Sequence, residues 1–235
     1  MIQGIIDIHS HILPGVDDGS KSMEMSLQMV DLAYSQGVRK MVATPHYYPG
    51  HKNCSPETLK AIYDKLCENI KSRHDDFGLY LGQEIYYKDA VVSLLRNQEV
   101  LTMAGTRYVL VEFPTGCGME LLYGAVRRLT QAGYLPILAH VERYQVLYQQ
   151  KNGIEQLMNA GALIQVNAEN FGRGLFSKEK RFCIQHMKAG NIHFLGSDCH
   201  NMAQRKPDMN LALQYASETE LIENPQRMLE GILPL

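Results

Sequence analysis

The sequence has little of what marks a secreted, membrane-spanning or nucleic-acid-binding protein. Its five cysteines are an odd number and contain no C-x-x-C pair, which argues against a disulfide framework and favours a reducing compartment. No apolar run reaches the roughly 18 residues of a membrane span, and the N-terminus lacks the basic region of a signal peptide. The net charge is -2, so no overall basic field attracts nucleic acid. We therefore expect a cytoplasmic protein with no membrane insertion and no nucleic-acid partner.

Motifs of nucleotide binding and signs of domain division are also absent. No G-x-G-x-x-G or P-loop motif follows an apolar run, so nucleotide binding has no support. The sequence has no internal repeat, low-complexity tract or linker. A length of 235 residues suits one α/β barrel. We expect a single catalytic domain over residues 1–235.

Short apolar runs alternate with amphipathic segments along the whole chain. The runs are "GIIDIH", "VRKMVAT", "LYLGQE", "RYVLVEF", "LPILAH", "ALIQVNA" and "IHFLGSD". Between them lie helix-like patterns, such as the segment that opens with Ser55 as an N-cap and Pro56 at the first helical position. Seven strands that alternate with helices predict an α/β fold with parallel strands, in either an open sheet or a closed barrel.

Each predicted strand ends in polar side chains that can bind a metal ion. In chain order these are His9 and His11, His46, Glu84, Glu112, His140, Asn167 and Glu169, and Asp198 and His200. Barrel enzymes build their sites at the carboxyl ends of strands from residues scattered in sequence, whereas an open sheet concentrates its site at one switch point. The distribution therefore favours a barrel with one central polar site. Asn167 and Glu169 are the weaker candidates and suit a rim, a supporting position or a turn.

The segment "GIIDIHSHILPGVDDG" gives the metal prediction its physical basis. His9 and His11 are two residues apart on a strand, so both can point to one ion. Asp18 follows a turn that contains proline and glycine, where a carboxylate can fold back over the strand end. Imidazole and carboxylate together suit Mn, Fe, Zn, Co or Ni, whereas structural zinc more often uses thiolates. Because the candidates exceed what one ion needs, we expect two or three ions.

Six motifs together resemble a known family. They are "DIHSHILPGVDDG", "ATPHYYPG", "GQEIYY", "VLVEFP", "LAHVERY" and "GSDCHN". The set resembles the polymerase-and-histidinol-phosphatase (PHP) superfamily and, more closely, the metal-dependent protein-tyrosine phosphatases of bacterial capsule and exopolysaccharide operons. The resemblance extends from Asp7 to the "ENPQRML" tail. It implies a distorted (β/α)7 barrel of the PHP type with three ions, usually Mn²⁺, at the carboxyl ends of the strands. Fe, Zn, Co or Mg are expected substitutes.

The same resemblance assigns residues to the ions and to the substrate. The implied ligand sets are His9, His11, Asp198 and a bridging Glu84 for the first ion, Glu84, Glu112 and His140 for the second, and Asp18, His46 and His200 for the third. Asp18 is chosen over Asp17 because it directly precedes glycine, as the family ligand does. Arg143 and Arg205 are expected beside the substrate phosphate.

The activity that the resemblance implies is hydrolysis of phosphotyrosine in proteins. Several cations would lower the pKa of a bridging water, and the resulting hydroxide would attack the phosphorus in line. The implied substrate is the tyrosine-rich tail of a bacterial tyrosine autokinase that regulates capsule or exopolysaccharide synthesis. Four tyrosines that follow candidate ligands either line the mouth or pack beneath it, namely Tyr47, Tyr48, Tyr86 and Tyr87. Neither the oligomeric state nor a general acid is predicted.

Other activities stay open at this point. The alternative is a small-molecule phosphatase of the same superfamily, such as one that acts on histidinol phosphate. Further alternatives are an amidohydrolase that cleaves C–N bonds and a non-catalytic scaffold. A cysteine-dependent phosphatase would use C-x5-R, which occurs at Cys67 to Arg73 and at Cys199 to Arg205. Cys67 lies in a predicted helix and no glycine follows Cys199 to form a phosphate loop, so thiol catalysis is disfavoured.

Overall fold

Parallel strands follow one another around a curled sheet in the computed structural model, which describes residues 4–234. The strands are β1 (Ile5–Ser10), β2 (Val38–Ala43), β3 (His46–Tyr47), β4 (Gly78–Leu81), β5 (Glu84–Tyr86), β6 (Tyr108–Glu112), β7 (Leu135–Leu138), β8 (Leu163–Asn167) and β9 (Phe194–Gly196). They pair in the orders β1-β2-β4 and β3-β5-β6-β7-β8-β9. Each of the seven predicted apolar runs contributes to this sheet.

Two of the seven strand positions are each divided into two short strands, which makes the barrel irregular. Pro45 lies between β2 and β3, and Gly82 lies between β4 and β5. Backbone hydrogen bonds continue across both gaps, from Gly82 N to Ala43 O at 2.8 Å and from Glu84 N to Pro45 O at 3.1 Å. The nine strands therefore occupy seven positions around the sheet. A parallel bridge between Ser10 and Cys199 joins the first position to the last. The predicted distorted (β/α)7 barrel is confirmed.

Helices connect the strands in the expected alternation. The α-helices are α1 (Met23–Ser35), α2 (Pro56–Lys71), α3 (Val91–Arg96), α4 (Met119–Gln131), α5 (Gln145–Gln149), α6 (Gly153–Asn159), α7 (Lys178–Lys188) and α8 (Asn224–Leu229). Short 3-10 segments are Met103–Gly105, Val141–Arg143, Ala168–Gly172 and Met209–Ala212, and a π-helical turn is Thr219–Glu223. As predicted, the Ser55 hydroxyl accepts a hydrogen bond from Thr58 N, and Pro56 begins α2. Within residues 4–234, no helix has both the length and the apolarity to cross a bilayer.

The apolar core leaves one end of the barrel to polar groups. The larger cluster of buried side chains packs the strands against the surrounding helices. A smaller cluster gathers residues from the starts of strands, including Ile6, Tyr108, Leu163 and Phe194, together with Met228 of α8. The Tyr108 hydroxyl also donates to Ile232 O, which ties the C-terminal segment to this end. The opposite end, where the strands finish, carries the histidines and carboxylates.

Candidate metal centre

The end of β1, the start of β5 and the loop after β9 bring four predicted ligands together. Nε2 of His9 and Nε2 of His11 are 3.3 Å apart, and both lie 3.3 Å from Oε2 of Glu84. Oδ1 of Asp198 lies 3.6 Å from Nε2 of His9 and 3.4 Å from Nε2 of His11. All four side chains are fully or almost fully buried. This group corresponds to the ligand set expected for the first ion.

Glu84 also faces the residues expected for the second ion. Its Oε1 lies 2.8 Å from Nε2 of His140, and the same nitrogen lies 3.6 Å from Oε1 of Glu112. Nδ1 of His46 lies 2.9 Å from Oε2 of Glu84. Glu84 therefore stands at the centre of the cluster, with both carboxylate oxygens turned toward imidazoles. Such a carboxylate can bridge two ions.

The third expected group lies on the solvent side of the cluster. Oδ1 of Asp18 lies 3.4 Å from Nε2 of His46 and 3.4 Å from Nε2 of His200. His11, Asp18, His46 and His200 each offer one ligand atom within 4.8 Å of the others. The structure thus brings all nine predicted ligands to one site. His11 belongs to both this outer group and the inner one, so the expected ligand sets are less sharply separated than the resemblance implies.

Hydrogen bonds fix the orientation of three histidines. Nδ1 of His11 lies 2.8 Å from Oδ2 of Asp17. Nδ1 of His200 lies 2.9 Å from the Asp198 carbonyl oxygen. Nδ1 of His9 lies 3.3 Å from Oε1 of Gln165. When Nδ1 donates to such an acceptor, the lone pair of Nε2 is directed into the cluster. This arrangement is typical of histidines that bind metals.

The donor set fits divalent cations. Oε2 of Glu112 and Nε2 of His200 are buried and have no hydrogen-bond partner among the described residues. Unpaired buried polar atoms are costly, and a bound cation would satisfy them. The mixture of imidazole nitrogens and carboxylate oxygens suits first-row transition ions. The chemistry of the site therefore agrees with the metal prediction.

The electrostatics of the cluster favour positive charge. Burial opposes ionisation of Glu84, but the surrounding histidines hold its pKa well below the usual range. Burial and the nearby Glu84 charge raise the pKa of Glu112 to about 7. Although burial lowers the pKa of His11, its contacts with Asp17, Asp198 and Glu84 raise it well above the ordinary value. Carboxylates held this close together therefore stabilise protons or cations between them.

Two candidate ligands have backbone conformations that are uncommon for residues other than glycine. His140 has φ of 32° and Asp198 has φ of 52°, both in the left-handed region. Two glycines that pack against candidate ligands have no room for a side chain. A Cβ on Gly19 would lie 2.2 Å from the His11 carbonyl oxygen, and a Cβ on Gly196 would lie 2.5 Å from the His9 Cβ. Backbone strain of this kind concentrates at functional sites.

Both predicted phosphate-binding arginines reach the edge of the cluster. One terminal nitrogen of Arg143 and one of Arg205 each lie 2.7 Å from Oδ2 of Asp198. The two side chains are 34% and 35% exposed, so both remain open to solvent. Nδ2 of Asn167 donates to the same oxygen at 2.8 Å. The guanidinium groups thus flank one candidate ligand at the mouth of the site.

Gln165 was not predicted as a supporting residue, whereas Asn167 was predicted as a weaker candidate for a rim, a supporting position or a turn. Gln165 accepts hydrogen bonds from the backbone N of His140 at 2.7 Å and faces Nδ1 of His9, so it spans two candidate ligands. Gln165 and Asn167 are two residues apart in the apolar run of β8, and that alternation was the available signal. Asn167 supports Asp198, whereas Glu169 pairs with Arg173 at 3.4 Å and lies outside the cluster.

Two further buried carboxyls support the site from behind. Asp7 accepts hydrogen bonds from the backbone N of His9 and of Ser197, and burial raises its pKa to about 6. Glu142 accepts from Asn167 N, and burial raises its pKa to about 7. Both lie next to predicted site residues in sequence. Their acceptor roles depend on loops that meet only in the folded chain.

The four tyrosines divide between the mouth and the core. Tyr48 lies beside His46 with ring centroids 5.0 Å apart and beside Tyr86 with ring centroids 5.4 Å apart. Burial and the nearby Glu112 raise the pKa of both hydroxyls. Tyr87 is buried and stacks on Phe113, and Tyr47 is half-buried against the core. Only Tyr48 and Tyr86 therefore adjoin the candidate ligands.

Neither cysteine of the C-x5-R matches is placed for nucleophilic catalysis. Cys199 is fully buried, and burial raises the pKa of its thiol. Cys67 lies within α2, where burial and its neighbours also raise the thiol pKa. A thiolate nucleophile needs the opposite shift and an open phosphate-binding loop.

Comparison with known proteins places this geometry in a family context. The profile of the family described as "Capsular polysaccharide synthesis, CpsB/CapC" matches residues 5–229. The tyrosine-protein phosphatase CpsB of Streptococcus agalactiae is 31% identical over 208 residues, which cover 86% of each chain. The tyrosine-protein phosphatase YwqE of Bacillus subtilis is 32% identical over 235 residues, covering 97% of this chain and 92% of the relative.

Solved structures resemble the whole barrel. A chain from the crystal structures of YwqE from Bacillus subtilis and CpsB from Streptococcus pneumoniae, described as unique metal-dependent tyrosine phosphatases, gives a TM-score of 0.89 at 28% identity. The match covers 98% of this chain and 96% of that chain. The phosphotriesterase homology protein from Escherichia coli gives a TM-score of 0.53 at 12% identity, which concerns the barrel fold alone.

Proposed function

Because the chain belongs to the CpsB/CapC family of capsular polysaccharide synthesis proteins, we propose that it is a metal-dependent phosphatase that hydrolyses phosphotyrosine in proteins. Relatives at 31% and 32% identity are named tyrosine-protein phosphatases. The observation that carries the proposal is the convergence of nine imidazole and carboxylate side chains beside two partly exposed arginines. Metal-dependent hydrolysis of a phosphate ester uses cations and phosphate-binding side chains in one place.

We further propose that the site holds three ions, with Mn²⁺ as the physiological metal. His9, His11, Asp198 and Glu84 would hold one ion, Glu84, Glu112 and His140 a second, and Asp18, His46 and His200 a third. When bound, such cations neutralise phosphate charge and lower the pKa of a coordinated water. The short distances between Glu84 and its four histidine neighbours support a shared, bridging role for this carboxylate.

The arginines bind and orient the phosphate. A guanidinium is a planar fork that can donate two hydrogen bonds to phosphate oxygens. Arg143 and Arg205 both contact Asp198 and both remain about one third exposed, so substrate can reach them. Charge that develops on the phosphoryl oxygens is stabilised by these fixed donors. A phenolate leaves readily, so the demand for a protein general acid is modest.

Tyr48 and Tyr86 are positioned to receive the aromatic ring of the substrate. Their ring centroids are 5.4 Å apart, and Tyr48 adjoins His46 at the solvent side of the cluster. Aromatic rings at such distances favour offset or edge contacts with another ring. We propose that the phenyl ring of the substrate lies against this pair while the arginines bind its phosphate.

The physiological partner is proposed to be a bacterial tyrosine autokinase that regulates polysaccharide synthesis. The family description links these proteins to capsular polysaccharide synthesis. We propose that the reaction takes place in the cytoplasm, and the free state of all five cysteines supports this. We also propose that residues 1–235 form one catalytic domain.

The proposed function is tested by elemental analysis of the purified protein together with phosphatase assays. We expect bound Mn²⁺, turnover of a phosphotyrosine peptide, and loss of turnover on chelation that added Mn²⁺ restores. Histidinol phosphate is assayed side by side and should be a poor substrate. Asp18→Asn should lose activity, whereas the matched control Asp64→Asn on the exposed side of α2 should retain it. Preference for histidinol phosphate would contradict the proposal.

A further inference from the structure

A groove leads away from Arg143 along the rim of the barrel, between α5 and α7. Two adjoining cavities form it, of about 250 Å³ and about 290 Å³. The inner cavity contains Arg143 and Arg173, and the outer one contains Lys151 and Arg181. Tyr148 and Lys178 line both, so the two cavities are adjacent. We call the outer cavity, lined by Tyr148, Lys151, Lys178, Arg181 and Phe182, the flanking pocket.

The flanking pocket carries unbalanced positive charge. Lys151 and Arg181 form no ion pair with any residue between 4 and 234, and Lys178 reaches Glu179 only at 4.0 Å. No carboxylate lines this pocket. Burial lowers the pKa of His186 at the edge of this pocket. Cations that converge on a concave surface without a counterion attract an anionic ligand.

The walls of the flanking pocket are aromatic and held in place. Tyr148 and Phe182 have ring centroids 4.9 Å apart. The Tyr148 hydroxyl donates to the Glu142 carbonyl oxygen at 2.6 Å, which fixes the ring. Lys178 Nζ lies 5.2 Å from the centroid of the Tyr148 ring. The pocket therefore combines an apolar wall with cations, which suits a side chain that has an apolar body and an anionic end.

The position of the pocket relates it to the substrate. Arg143 contacts Asp198 at the metal cluster and also lines the inner cavity. A polypeptide whose phosphotyrosine lies at Arg143 must leave the site along the rim, and the groove offers one such path. Two carboxylates also line the inner cavity: Glu142 is buried, and Glu179 pairs with Arg173 at 3.6 Å.

We propose that the flanking pocket binds an anionic side chain of the substrate polypeptide, either a carboxylate or a second phosphotyrosine, on one side of the phosphotyrosine being hydrolysed. This inference rests on the proposed function, because it assigns the site a protein substrate. It makes the pocket a determinant of specificity that is separate from the metal cluster. A small phosphate ester would not reach it.

Binding to the Mn²⁺-loaded protein tests the proposal without turnover. The ligands are peptides in which a non-hydrolysable phosphonate replaces the phosphotyrosine, with neutral flanks, with flanking glutamates, or with a second phosphonate. We expect the anionic peptides to bind about tenfold tighter than the neutral one, because several cations without a counterion face the same anion. In the peptide with two phosphonates, either one can occupy the metal site, and this alone would increase the apparent affinity only twofold. The glutamate and phosphonate arms identify the preferred anion.

Variants decide whether this preference comes from the flanking pocket. The double variant Lys151→Gln/Arg181→Gln changes two exposed side chains and should reduce the tenfold preference to less than about threefold. The matched control Lys65→Gln/Lys71→Gln on α2 should keep it. Equal affinity of the normal protein for all peptides, or a preference that survives in the double variant, overturns the proposal. Failure to hydrolyse phosphotyrosine would instead count against the proposed function, since affinities are measured independently.

Discussion

Asp17 and Asp18 are neighbours in the chain but serve opposite sides of the same histidine cluster. Asp17 is 5% exposed, and its Oδ2 lies 2.8 Å from Nδ1 of His11. Asp18 is 65% exposed, and its Oδ1 lies 3.4 Å from Nε2 of both His46 and His200. One carboxylate therefore orients a candidate ligand from behind, whereas the other is itself a candidate ligand on the solvent side.

This difference predicts unequal effects of two similar substitutions. Asp18→Asn should remove a ligand and abolish most turnover even at high Mn²⁺. Asp17→Asn should weaken metal affinity about 10- to 100-fold, as is usual for partners of metal-binding histidines, and excess Mn²⁺ should restore its activity. Titration of activity against Mn²⁺ measures both effects. Equal behaviour of the two variants would contradict the assignment of Asp18 over Asp17.

Substitution of either arginine should impair catalysis without removing metal. Arg143→Lys and Arg205→Lys keep a positive charge but lose the planar fork, so we expect kcat/KM for a phosphotyrosine peptide to fall about 100-fold. Metal content by elemental analysis should stay unchanged. Arg128→Lys, in an exposed ion pair with Asp89, is the matched control. A loss of metal in the site variants would show that these arginines support Asp198 instead of binding phosphate.

Cys199→Ser should retain turnover within about twofold when the metal is fully loaded, because a buried thiol with a raised pKa supplies no thiolate. Cys67→Ser should behave in the same way. Steady-state kinetics with metal analysis provides the measurement. Complete loss of activity in Cys199→Ser with intact metal content would support the cysteine route.

His193 should make stability depend on pH. Burial lowers its pKa from 6.5 to about 4, and its Nδ1 accepts a hydrogen bond from Ile164 N at 3.1 Å. Between these pH values the unfolded chain binds more protons than the folded chain. The free energy of unfolding should therefore fall as pH decreases from 6.5 to 4, by up to about 1.4 kcal/mol per pH unit from this residue.

The matched variant for this prediction is His193→Gln, which keeps a hydrogen-bond acceptor but cannot titrate. Urea unfolding of the metal-free proteins across the pH range should show a shallower slope for the variant than for the normal chain. Other buried groups contribute equally to both proteins, so the difference isolates His193. Identical slopes would contradict the depressed pKa.

Local patterns in the sequence were sufficient to predict the strands and the polar ends of the barrel. β1 is a short apolar run with His9 near its end and β6 is one that ends in Glu112, and closure of the sheet brings such ends together. The breaks at Pro45 and Gly82 were not predicted, because the runs around them remain apolar or strand-like. Whether a run is divided depends on its pairing with neighbouring strands, which are distant in sequence.

Local patterns in the sequence could not predict the residues and backbone conformations that support the candidate ligands. Gln165 contacts residues that are 156 and 25 positions away, so its role depends on the closed barrel. The left-handed conformations of His140 and Asp198 also arise from tertiary packing, since neither residue type requires them. The division of ligands among three ions came from family resemblance and stays a prediction.

The pairing of Ser10 with Cys199 gives the barrel a seam that is held by few backbone contacts. Two hydrogen bonds lie beside it, from His11 N to Cys199 O at 2.9 Å and from Asp198 N to His9 O at 2.8 Å. Candidate ligands stand on both edges of this seam. Cations bound across this seam would hold the barrel closed, because a ligand that binds only the folded state increases the free energy of unfolding. The supply of metal would then set the population of molecules with an opened barrel as well as the rate of turnover.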